Sequence, residues 1–82
     1  MPVSKAAPAA PEDQRLALGR RLRQARRRAD ATQWTVARLA RCTQAVVCKV
    51  EYGQPVARDT LTRILDAVRS LEAEAVKESL ER

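Results

Sequence analysis

The sequence predicts an all-α chain: a small bundle of four main helices, in which two short helices meet at a tight turn and the last helix runs long. Three observations carry this. Apolar residues recur every three or four positions from Leu18 to Leu80, and no stretch alternates with the period of two that a half-buried strand requires. Two Thr-Gln pairs, Thr32-Gln33 and Thr43-Gln44, stand eleven residues apart, each where a hydroxyl would cap a short amphipathic helix. Small residues, Ala37 and Ala40, lie where those two stretches would have to cross.

Taken in order, residues 1–11 are mostly Ala and Pro and cannot bury enough surface to order themselves, so they are expected to form a flexible arm. After Pro11, acidic Glu12 and Asp13 suit a helix start, and Leu18, Leu22, Ala25 and Ala29 follow at helical spacing. This first helix should end near Asp30, whose short side chain tolerates a left-handed cap. Thr32 caps a second helix over about 33–40, with Val36, Ala37 and Ala40 inward. Arg41-Cys42-Thr43 interrupts, with Cys42 as a core plug. Thr43 then caps a third helix over about 44–52, with Val47 and Val50 inward, and Gly53 stops it. A loop through Gln54 and Arg58 leads to Asp59, read as the cap of one helix reaching about residue 80. The expected organisation is an arm at 1–11, a folded domain at 12–70 and a helical extension at 71–82.

At 82 residues the chain makes at most one small domain, a size that usually needs metal, disulfides or association for comfortable stability. Metal is not expected, because there is no His and the two Cys, Cys42 and Cys48, cannot complete a tetrahedral site. A bridge between those two would close too short a loop to constrain the chain. Association is left, and the long last helix is where it is expected. Leu61, Ile64, Leu65 and Val68 more than satisfy one side of a small core, and Val68 leads into Leu71, Val76 and Leu80 as a seam for a second copy. Glu72, Glu74, Glu78 and Glu81 flank that seam. No apolar run is long enough to cross a bilayer, and "MPVSKAAPAAP" lacks the apolar centre of a signal peptide. A soluble cytoplasmic protein is expected.

The net charge of +6 is unevenly spread: eleven Lys/Arg oppose four Asp/Glu up to Gly53, whereas five oppose six beyond it. A polyanion is therefore the expected partner of the first part. Catalysis is not expected, since the chain has no His, no glycine-rich phosphate loop and no recognisable carboxylate pair; no cofactor is expected either.

The stretch "TQWTVARLARCTQAVVCKVEYG", residues 32–53, resembles the helix-turn-helix of the phage repressor, Cro and Xre family without a gap, and weaker likeness extends over roughly 16–70. Arg41 stands where that family usually has Gly, so the turn there is either left-handed or locally different. The resemblance implies a bacterial or phage-encoded regulator. It also implies an ion pair between Arg26 and Glu51, with Gln33 touching phosphate and bracing Gln44.

On that fold the third helix would enter the major groove of double-stranded DNA with Gln44, Ala45, Val46 and Lys49 outward. Their chemistry suits base edges: a glutamine amide matches adenine, a lysine matches guanine acceptors, and methyls match thymine. Phosphate contacts are expected from Thr32, Gln33, Thr43, Gln54 and Arg58. Trp34 is open between the DNA backbone, the arm and plain surface. The function expected first is a dimeric repressor at a palindromic operator. The alternatives are an antitoxin that binds a toxin protein and represses its own operon, or a controller of a restriction-modification system.

Overall fold

A computed structural model describes residues 10–81, in which four helices run in the order α1 (Glu12–Arg28), α2 (Gln33–Ala40), α3 (Gln44–Glu51) and α4 (Arg58–Glu81). Residues 1–9 of the expected arm, and Arg82, lie outside the described residues.

Helices α1 to α3 begin and end as their sequences dictate. Glu12 and Asp13 occupy the first turn of α1, and Arg26, Arg27 and Arg28 its last, so both ends carry the charge that opposes the helix dipole. The Thr32 hydroxyl accepts from the Thr35 N–H at 3.2 Å and that of Thr43 from the Val46 N–H at 3.3 Å. The three C-termini share one device. Beyond α1, Asp30 (φ 57°) and Ala31 return their N–H groups to Arg27 O and Arg26 O. Arg41 (φ 58°) and Cys42 do the same to Arg38 O and Ala37 O, and Gly53 (φ 82°) and Gln54 to Val50 O and Lys49 O. This paired closure satisfies carbonyls that would otherwise be orphaned, and it needs one left-handed residue each time. Arg41 thus takes the conformation usually left to Gly, at a cost of about 1–2 kcal/mol.

Asp59 does not cap α4. The helix begins one residue earlier, where the Leu61 N–H bonds to Ala57 O, and Asp59 sits in the first turn, 3.2 Å from Arg63. From there α4 continues unbroken to Glu81.

The core is made of Leu22, Ala25, Val36, Ala37, Ala40, Val47, Val50, Ile64, Ala67 and Val68, with Ile64, Val36 and Val47 fully enclosed. Helix α2 packs on both α3 and α4, and α1 closes the other side against the same two helices. Gly19 marks a close approach of α1 to α3. A Cβ there would lie 2.5 Å from the carbonyl oxygens of Val50 and Glu51, so α1 rests directly on the backbone end of α3. Arg15 Nε donates to Gly53 O at 2.7 Å and Arg63 Nε to Ala40 O at 2.8 Å, tying the ends of α3 and α2 to their neighbours.

Val68, expected in a seam between copies, is instead 4% exposed within this core. The α4 face that carries it is turned toward α1 and α2, so the same chain covers its side chain. Leu71 is half-buried against the edge of the core. Only farther along does the apolar stripe open to solvent, with Val76 59% and Leu80 82% exposed.

Candidate nucleic-acid interface

Buried Ala37 and Ala40 on one helix and Val47 on the next let α2 and α3 approach closely across the Arg41–Thr43 turn. Cys42 fills that turn, half-buried against the core. Burial pushes its thiol above the ordinary value, against a smaller opposing effect of Arg63, so it stays protonated and poorly nucleophilic. Both cysteines are free.

Helix α3 buries Val47, Val50 and Glu51 and turns another face away from the bundle. Ala45 and Lys49 are exposed and Gln44 is half-buried. Val46 is half-buried too and packs on the core, which leaves only part of its side chain outward. Thr32, Thr43, Gln54 and Arg58 are exposed, while Gln33 is half-buried. The hydroxyls of Thr32 and Thr43 are engaged in capping, yet the N–H groups of Gln33 and Trp34, and of Gln44 and Ala45, take no partner among the described residues. These are the free amides at two positive helix ends, a chemistry suited to phosphate oxygens. Trp34 is 67% exposed beside the first pair.

Behind this surface lies one chain of polar contacts. Arg26 Nε donates to Glu51 Oε2 at 2.6 Å and Arg26 Nη2 to Glu51 Oε1 at 3.0 Å, with side chains 12% and 4% exposed. Arg26 Nη1 also reaches Ala31 O at 2.9 Å, fixing the link between α1 and α2. Gln33 Nε2 donates to Glu51 Oε1 at 3.0 Å, and Gln44 Nε2 donates to Gln33 Oε1. Burial by itself would push the Glu51 carboxyl up. The hydrogen bonds from Arg26 and Gln33, with the charges of Arg26 and Arg23, outweigh it and hold the group below the usual carboxylate range. Arg26 is held above its ordinary value chiefly by its hydrogen bond to Glu51, despite partial burial.

Sequence reasoning passed over three residues that hold this surface in place. Arg15 and Arg63 secure the ends of α3 and α2, and the Arg23 guanidinium stands 5.5 Å from the Tyr52 ring centre, just past α3. No local pattern marks them among their neighbouring arginines; only the crossing of helices brings each to its partner.

Among the described residues no group of three potential metal ligands occurs, and no helix is long and apolar enough to cross a membrane. A family model described as a helix-turn-helix domain matches residues 17–77. No curated protein matches the chain.

Proposed function

The chain belongs to the helix-turn-helix domain family, and on that premise we propose that it is a sequence-specific regulator of transcription that binds double-stranded DNA as a homodimer and represses. In this reading α3 lies in the major groove, Gln44, Ala45, Lys49 and the exposed part of Val46 meet base edges, and Gln33, Gln54 and Arg58 hold phosphates. Thr32 and Thr43 contribute to the same clamp through the helix ends they cap.

The observation that supports it most is the union of an exposed α3 face with two open helix N-termini on the basic part of the chain. A phosphate backbone supplies the charge those groups lack. The uncovered end of α4, with Val76 and Leu80 outward, is the surface assigned to the second copy, since a single module gives modest affinity and two half-sites multiply it. The same exposed tail favours a second reading, in which it holds a toxin protein and the chain is an antitoxin that represses its own operon.

Selection from random duplexes tests the proposal directly. Enrichment of a two-fold symmetric sequence, with half-sites about one helical turn apart, is the expected result. Recovery of unselected sequences at ordinary salt would remove the reading, and an asymmetric single site would remove the dimer from it.

A further inference from the structure

We infer that Glu51, without touching DNA, sets the hydrogen-bonding polarity of Gln44 through Gln33, so that Gln44 offers an outward carbonyl oxygen with a single N–H and thereby selects adenine over guanine. The inference rests on the reading that α3 meets base edges, and it adds how the orientation of one reading side chain is decided.

The two ends of a glutamine amide have nearly the same shape, so packing does not choose between them. A neighbour that can only accept does choose. The Glu51 carboxylate is enclosed and held ionised by Arg26, which occupies both of its oxygens. Any further group reaching Oε1 must donate, and Gln33 therefore turns its nitrogen inward, at 3.0 Å. The opposite end of that amide, Oε1, then points to Gln44 and can likewise only accept, so Gln44 must present its own nitrogen.

The residues come from different ends of three helices: Arg26 in the last turn of α1, Gln33 first in α2, and Gln44 and Glu51 first and last in α3. Reversing Gln44 would set its oxygen against Gln33 Oε1 and leave two acceptors facing each other. The relay opposes this reversal by a factor on the order of ten or more.

The consequence appears at the open end of Gln44. One of its N–H groups is spent on Gln33, and no hydrogen bond among the described residues engages its Oε1. What remains is one acceptor beside one donor. Adenine presents the complement in the major groove, a donor at N6 and an acceptor at N7, whereas guanine presents two acceptors. Guanine would bring its O6 against the Gln44 oxygen. Glu51 is thus a positioning residue for specificity as well as the partner of Arg26.

The experiment compares the wild-type chain with Gln33→Ala and Glu51→Gln by two measurements. One follows the side-chain amide signals of Gln44 by NMR in the free protein. The other takes the ratio of affinities for two selected duplexes that differ only by adenine or guanine at the base pair Gln44 prefers. The wild type should show one Gln44 amide proton shifted and slowed in exchange. In both variants that signal should move to the range of free amides and the affinity ratio fall on the order of tenfold, while binding to random DNA follows its own course and cancels in the ratio. Unchanged Gln44 signals and an unchanged ratio in Gln33→Ala would overturn the relay. So would a folded Glu51→Gln that keeps both wild-type values. Should Glu51→Gln fail to fold, Gln33→Ala carries the test alone, because it leaves the Arg26–Glu51 pair whole. If the wild type prefers no DNA sequence, the groove reading falls, and the amide signals of the free protein still decide whether Glu51 orients Gln44.

Discussion

Replacing Arg26 by Ala should unfold a large part of this protein's stability at neutral pH. The guanidinium makes three contacts of 2.6–3.0 Å, two with Glu51 and one with Ala31 O, and the Glu51 side chain is 4% exposed. Removing it leaves a buried carboxylate with no counter-charge in contact and only the Gln33 N–H as a side-chain donor. The expected loss is about 3–5 kcal/mol, against a total of about 5–15 kcal/mol for a typical domain. The pair Arg63–Asp59, with side chains 40% and 77% exposed, serves as control, and breaking it through Asp59→Ala should cost less than about 1 kcal/mol.

The pH dependence separates this explanation from a general packing defect. In the wild type the folded Glu51 lies below its unfolded value, near 4.5, so its contribution is complete above that pH and is lost as the pH falls through the folded value. In Arg26→Ala burial dominates and pushes the carboxyl up, which reverses the sign: the variant gains stability as acid neutralises Glu51. The deficit should therefore begin to narrow above pH 4.5, as acid neutralises the raised Glu51 of the variant, and narrow further below it, as the wild type loses its own contribution, in urea titrations read by circular dichroism. An apolar pair, Arg26→Met with Glu51→Leu, should recover most of the loss, because it removes both charges from the interior. A deficit under about 1 kcal/mol at pH 7, or one independent of pH, would refute the claim that Glu51 depends on Arg26 for its charge.

Three further outcomes are expected. Gly19→Ala places a methyl 2.5 Å from two backbone carbonyls that cannot rotate away, and the strain of about 1–3 kcal/mol or more should exceed the gain of about 1 kcal/mol in helix propensity. A variant as stable as wild type in denaturant would mean α1 and α3 part without cost. Arg41→Gly relieves a left-handed arginine and should stabilise by about 1 kcal/mol, whereas an unaltered midpoint would show that the turn holds no such strain. Deleting residues 72–82 removes Val76 and Leu80 and should shift light-scattering mass toward the monomer; a dimer that survives would place the interface elsewhere.

Helix positions were legible because their determinants are local. Thr32 and Thr43 bond within their own first turns, Gly53 supplies its own positive φ, and the inward residues of α2 and α3 follow from a period of 3.6. The fold class was legible for the same reason, and helix boundaries fell within a residue or two. Asp59 misled by two residues, since an acidic side chain serves a first helical turn almost as well as a cap. The likeness to a known family, which extends in weaker form over the first helix, brought Arg26 together with Glu51 on paper, and periodicity gave no reason to prefer it among six arginines between 20 and 28.

What the chain determined by itself was where each helix begins, where it ends and which of its faces is apolar. Tertiary structure decided which part of an apolar face finds cover. Val68 and Val76 lie on one long amphipathic helix, yet the first is enclosed and the second is 59% exposed, because the apolar residues packed on the core reach along α4 only as far as Leu71. It decided likewise that Gly19 would touch a carbonyl and that Gln33 would stand between the buried Glu51 carboxylate and Gln44. Such contacts join residues 11 to 32 positions apart, and their geometry depends on how helices cross, a quantity that no short window of sequence contains.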